Sequence, residues 1–200
     1  MAFSLVDGTF SALIFDCDGT LVNSAPAHLR SLQEALKPLG LTITEEWYRT
    51  RLGLGPDPLI DEYEAAFGLS PIDRAALFER NNVAFHAAIP LIEEITFVAD
   101  VARAWQGKVP MSVASNGMRA NVEATLVNAK LRPLFDYVVT ADDVERGKPA
   151  PDVYLEAARR MQVDPARCVV FEDSDEGLEA AHRAGMRGID IRTEAPLHLG

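Results

Sequence analysis

Cysteine and lysine are scarce in this chain, and long apolar runs are missing. There are two cysteines, Cys17 and Cys168. The first falls at the far end of one predicted strand and the second at the start of another. Those are opposite ends of a parallel sheet, so no bridge between them is expected. Two reduced, buried thiols fit a reducing compartment, and Cys17 reads as a small core residue rather than a nucleophile. No stretch approaches the roughly 18 apolar residues of a membrane span. Met1 to Phe10 has neither the basic start nor the apolar run of a signal peptide. The expected setting is therefore soluble and cytoplasmic. Basic charge is short as well: the net charge is −11, which argues against nucleic acid or an acidic membrane as partner. The four lysines are Lys37, Lys108, Lys130 and Lys148. A few local cations still suffice to hold one phosphate, so a small phosphorylated molecule stays open as a partner. The default expectation for assembly is a monomer.

What is present suits one core with a modest insertion. Apolar residues make up 48% of the 200, enough to bury a sizeable core. From Val109 onward, short apolar runs alternate with helical patterns. Strands are expected at Val109 to Ala114, Tyr137 to Thr140, Cys168 to Phe171 and Ile189 to Ile191. Helices are expected at Arg119 to Lys130, at Val153 to Met161 with Asp152 as N-cap, and at Leu178 to Ala184. This βαβα alternation predicts an α/β fold with a doubly wound parallel sheet. Asn23 to Ile89 shows no strand pattern. Helical stretches fall near Ala27 to Leu36, Glu45 to Arg51, Pro58 to Phe67 and Pro71 to Ala87, with breaks at Pro38-Leu39-Gly40, Gly53-Leu54-Gly55-Pro56 and Gly68-Leu69-Ser70-Pro71. The block reads as an inserted helical cap, residues 23–89, within a core of residues 1–22 and 90–200. Asp7-Gly8-Thr9 has no buried strand before it and reads as a turn. Gly53-x-Gly55 lacks a preceding strand and a third glycine, and reads as a helix break rather than a dinucleotide loop.

The most informative run is Leu13-Ile14-Phe15-Asp16-Cys17-Asp18-Gly19-Thr20-Leu21. Its apolar part reads as a strand buried on both faces, which does not alternate. Strand period places Asp16 and Asp18 on one side. Two carboxylates at the end of a buried strand repel each other and are costly to desolvate, and a divalent cation removes that cost. The arrangement suits one carboxylate attacking phosphorus while a cation gathers charge.

Strand ends of an open parallel sheet converge on one crevice. Three further pieces of the sequence belong there. Ser115-Asn116 offers a hydroxyl and the free amides of a helix start for a phosphate, or is an ordinary turn. Gly147-Lys148-Pro149 offers a fixed point charge, or a solvated loop lysine. Glu172-Asp173 follows Val169-Val170-Phe171 and offers oxygen ligands of the type a hard cation takes, or an acidic helix cap.

Together these strings resemble the haloacid dehalogenase superfamily, in the subgroup with a helical cap inserted after the first strand. The matching residues are Asp16-Cys17-Asp18-Gly19-Thr20-Leu21-Val22, Ser115-Asn116-Gly117, Gly147-Lys148-Pro149-Ala150-Pro151-Asp152, and Phe171-Glu172-Asp173-Ser174 with Gly177 and Ala184-Gly185-Met186. Within the superfamily the chain is similar to small sugar-phosphate phosphatases, of the fructose-1-phosphate and 6-phosphogluconate type, and to β-phosphoglucomutases. The resemblance implies that Asp16 forms an aspartyl-phosphate and that Asp18 protonates the leaving oxygen and then activates water. It implies that Ser115 and Asn116 hold phosphoryl oxygens and that Lys148 balances charge. It also implies an Mg2+ site from Asp16, the Asp18 carbonyl, Glu172 and Asp173. The cap would exclude water and choose the substrate.

Dehalogenases of the superfamily lack an acid at the position of Asp18, which argues against carbon–halogen cleavage. Phosphonate hydrolysis in the family uses a cap lysine, and this cap has only Lys37, near the end of its first helix. His28 matches a histidine of the mutases, and otherwise reads as a packed or exposed residue. Leu52 and Pro56 stand where the mutases carry the lysine and arginine that grip a second phosphate; Arg49 or Arg51 could substitute. Asn23 stands where the family usually has aspartate. The expected function is an Mg2+-dependent phosphatase of a small phosphorylated metabolite, a sugar phosphate by resemblance. The alternatives are a sugar-phosphate mutase and a non-catalytic phosphate-binding protein.

Overall fold

The computed structural model describes residues 9–194. The Asp7-Gly8 turn and most of the segment read for a signal peptide lie outside them. In chain order the elements are β1 (Ala12–Phe15), β2 (Val22–Asn23), α1 (Ala25–Leu36), α2 (Glu45–Arg49), α3 (Pro56–Phe67), α4 (Arg74–Ala88), β3 (Glu93–Glu94) and α5 (Thr96–Trp105). There follow β4 (Met111–Ala114), α6 (Arg119–Asn128), β5 (Tyr137–Val139), α7 (Asp152–Met161), β6 (Cys168–Glu172), α8 (Asp175–Arg183), β7 (Arg187–Asp190) and α9 (Ile191–Glu194). The chain forms two compact units. One runs to Asn23 and resumes at Glu93; the other is Ser24–Ile92.

The first unit holds a parallel sheet in the order β5-β4-β1-β6-β7. All residues of β1, β4 and β6 are buried, as strands covered on both faces must be. One face packs Ala12, Ile14, Ala114 and Val170 against Val153, Ala157, Ala158, Ala180 and Ala181 of α7 and α8. The chain leaves β1 toward β4 and β5, then returns to β6 on the other side. The switch in direction falls between β1 and β6, where an open α/β sheet presents its crevice. The expected doubly wound α/β sheet is therefore the observed architecture.

Three details differ from expectation. The helix α5 has no counterpart in the sequence reading, although it buries Val98, Ala99, Val101 and Ala102. The ribbon pairing Val22 with Glu94 and Asn23 with Glu93 is two residues per strand, too short for a period to show. Asp152 is the first residue of α7 rather than its cap, a place taken by Pro151; the Asp152 carboxylate pairs with Arg146 instead.

The second unit is helical. Its core joins Leu32, Ala35 and Leu36 of α1 with Leu59, Ile60 and Tyr63 of α3 and Leu77 of α4. Arg74 binds Glu64 and Asp61, each at 2.6 Å. Among the described residues no helix is long and apolar enough to cross a membrane.

Candidate active site

Pairing of β1 with β6 brings Phe15 opposite Phe171, and the Asp16 amide still donates to the Phe171 carbonyl at 3.0 Å. The residues that follow the two strands are therefore neighbours. Among the described residues, Asp16, Glu172 and Asp173 form a trio whose carboxylate oxygens lie within 4.8 Å of one another. Lys148 reaches into it from the loop after β5. Its Nζ donates to Asp16 Oδ1 and to Glu172 Oε1, both at 2.6 Å, with 5% of the side chain exposed.

Glu172 is held from both sides. Its Oε1 also accepts from the Tyr154 hydroxyl at 3.0 Å. Its Oε2 accepts from the Asp173 amide, the Ser174 amide and the Ser174 hydroxyl, each at 2.9 Å. The helix cap of α8 is Ser174, which accepts from the Gly177 amide; the acidic pair does not fill that role. Two glycines let the backbone come this close. A β-carbon on Gly177 would overlap the Glu172 carboxylate. Gly19 has φ +92°, and a β-carbon there would overlap the Asp173 carboxylate. Thr20 donates to Asp173 Oδ1 at 3.0 Å.

The electrostatics follow from burial and neighbours. Burial raises the Asp16 carboxyl well above its ordinary value, Lys148 opposes this, and Glu172 and Asp173 add to it. Burial would lower Lys148, but Asp16, Tyr154 and Glu172 outweigh it and hold the ammonium charged. Burial works to raise Glu172, but Lys148 and the Ser174 donors bring it below the usual range. Asp173 is raised by burial and by Glu172. Burial keeps the Tyr154 phenol protonated. It does the same for the Cys17 thiol, with Asp18 and Asp16 adding to the effect. Three carboxylates thus face one lysine. A hard divalent cation, which takes oxygen ligands, fits the excess negative charge.

Asp18 stands outside the trio. The extended strand stops at Phe15, and the Leu21 and Val22 amides fold back onto the Cys17 carbonyl. Strand period therefore does not place Asp18 beside Asp16. Its Oδ2 lies 3.8 Å from where a β-carbon on Gly117 would sit, toward the turn after β4. In that turn Ser115 is 2% exposed, and its hydroxyl accepts from the Gly117 amide at 3.0 Å. The amides expected to be free are partly engaged, since Arg119 N–H already donates to Asp142 Oδ2. Asn116 clamps the lysine loop. Its Oδ1 accepts from the Lys148 amide at 2.8 Å, and its Nδ2 donates to the Lys148 carbonyl at 3.3 Å.

The three cap residues singled out by sequence lie in the helical unit. His28, half-buried on α1, stacks on Phe85 with ring centroids 4.7 Å apart. Arg49 is exposed. Arg51 is tied down within its own unit: it donates to Glu62 at 2.8 Å and to the Trp47 carbonyl, and lies 4.0 Å over the Trp47 ring. Tyr154 drew no attention in the sequence. Tyr154 sits in the buried stripe of α7, where an aromatic residue reads as core.

Residues 13–191 match the family model of the haloacid dehalogenase-like hydrolases. The chain belongs to this family. It is 37% identical over 186 residues to the fructose-1-phosphate phosphatase YqaB of Escherichia coli strain K12, covering 92% of this chain and 97% of that one. It is 32% identical to hexitol phosphatase B of the same organism, covering 90% of this chain and 82% of that one. Among solved structures, CbbY from Rhodobacter sphaeroides in complex with phosphate superposes with a TM-score of 0.78 at 30% identity, over 90% of this chain and 85% of that one.

Proposed function

We propose that this hydrolase is an Mg2+-dependent phosphatase of a small phosphorylated metabolite, with sugar phosphates as the substrate class. The observation that carries the reading is the buried Lys148 ammonium, 2.6 Å from both Asp16 and Glu172 in a trio of carboxylates. Relatives that are sugar- and polyol-phosphate phosphatases support the substrate class.

In this reading Asp16 attacks the phosphoryl group and carries it as an acyl phosphate. Lys148 opposes the protonation of the nucleophile that burial favours and faces the incoming charge. Asp18, on the side of the Ser115 turn, gives a proton to the leaving oxygen and then takes one from water. The Ser115 hydroxyl and the free groups of its turn hold phosphoryl oxygens. Asp16, Asp173 and the Asp18 carbonyl, with Glu172 completing the acidic set, would hold Mg2+. When bound, the ion supplies charge neutralisation for the phosphate and the carboxylates. The helical unit selects the substrate, with His28 and Arg49 as its contributions; Arg51 serves its own unit.

The test is phosphate release from a panel of sugar, polyol and small-acid phosphates, with and without Mg2+, beside Asp16→Asn. Release that needs both the ion and Asp16 is expected. Bisphosphate-dependent interconversion of hexose phosphates, faster than phosphate release, would replace this reading with the mutase.

A further inference from the structure

We propose that Tyr154 is a positioning residue that keeps the Lys148 ammonium on Asp16 by occupying the Glu172 oxygen that competes for it. The inference rests on the roles given above to Asp16 and Lys148. Two acceptors share this ammonium, Asp16 Oδ1 and Glu172 Oε1, both at 2.6 Å. Equal distances leave the balance to the charge each oxygen retains. The Tyr154 hydroxyl donates to Glu172 Oε1 and to no other acceptor named at this site. A hydrogen bond to a carboxylate oxygen withdraws charge from it, and in a site shut off from water that draw is not diluted. Without the hydroxyl, Glu172 Oε1 recovers charge and pulls Lys148 away from the nucleophile.

The surrounding geometry fixes this relation. Glu172 cannot swing away, because its other oxygen holds three donors. Tyr154 is fully buried on α7, with its ring centroid 5.0 Å from Lys148 Nζ. The ring face thus lies beside the same ammonium, an attractive placement in its own right. The phenol acts on Lys148 through Glu172, through its ring and through its own hydroxyl oxygen, which faces the ammonium, and it makes no hydrogen bond to Asp16. Phenylalanine would keep the ring and the packing while removing the hydroxyl, with its draw on Oε1 and its contact with the ammonium.

The lysine content makes this measurable. Of the four lysines only Lys148 has a buried side chain; Lys37, Lys108 and Lys130 are exposed. In the full chain labelled with 15N-lysine, the Lys148 ammonium is expected to give the one slowly exchanging ammonium resonance. Tyr154→Phe is expected to shift that resonance and speed its exchange. In the phosphatase assay, the same variant is expected to lower kcat about tenfold with KM little changed, the pattern of an interaction that acts on the chemical step. On a Glu172→Gln background the same substitution should add nothing, because the two side chains act as one unit.

Unchanged resonance and kcat in Tyr154→Phe would overturn the inference. Equal losses of kcat and Tm on both backgrounds would also overturn it, leaving Tyr154 a packing residue. A wild-type chain that releases no phosphate from any substrate sinks the phosphatase reading instead; the Lys148 resonance still decides the role of Tyr154.

Discussion

The strand ends of the α/β unit and helix α4 of the helical unit treat their buried polar groups in opposite ways. At the strand ends of the α/β unit, Asp16, Lys148, Glu172, Tyr154 and Ser174 bind one another in a continuous chain of short contacts. In the helical unit the strong ion pairs lie toward the surface, as with Arg51 and Glu62 or Arg74 and Asp61. The buried Oδ1 atoms of Asn81 and Asn82 on α4 have no hydrogen-bond partner; a third such oxygen, that of Asn121 on α6, belongs to the α/β unit. A satisfied network is rigid and specifies one geometry. An unsatisfied acceptor costs stability.

The sharpest way to break the comparison is Gly177→Ala. Its β-carbon would overlap the Glu172 carboxylate, so either the carboxylate or α8 must shift. We expect a loss of about 2 kcal/mol in denaturant unfolding together with most of the turnover. A variant that folds and turns over normally would mean the network tolerates slack, and the rigidity of this unit would be overstated.

A smaller effect of opposite sign is expected in the helical unit. Asn81 sits four residues after Leu77 and four before Phe85, both buried, so it interrupts an apolar stripe. Asn81→Leu should stabilise the protein by about 1 kcal/mol, relieving the unpaired oxygen, which is roughly 3 °C in Tm for a chain of this size. A destabilised variant would show that the oxygen has a partner after all.

The same contrast explains what could be read in advance. The site core was legible because strand ends in a parallel sheet converge, and each of Asp16, Ser115 and Glu172 directly follows or closes an apolar run. Topology then does the placing. The strand-period argument for Asp18 does not apply, since the extended strand ends at Phe15; its carboxylate lies toward the Ser115 turn rather than in the trio. Tyr154 was hidden because helical spacing marks it only as core; its hydroxyl matters through Glu172, which lies 18 residues further along. Asn116 gave the right place without its contacts: its side chain clamps the Lys148 backbone across 32 residues. Arg51 was legible as a cation but not as one already committed to Glu62 and Trp47. In the helical block, sequence showed the breaks between helices well and the direction of side chains hardly at all. Helix existence depends on local pattern, whereas direction depends on packing.

The central claim is that Asp16 takes the phosphoryl group with Lys148 beside it to balance charge. Its most direct test is acid quenching of a single turnover with the best substrate from the panel, followed by mass spectrometry of the peptide spanning Asp16 and Asp18. The account predicts a phosphoryl group on Asp16, labile to hydroxylamine as an acyl phosphate must be, and absent in Asp16→Asn. Rapid phosphate release with no phosphorylated Asp16 at any quench time, or a phosphoryl group on another residue, would contradict it.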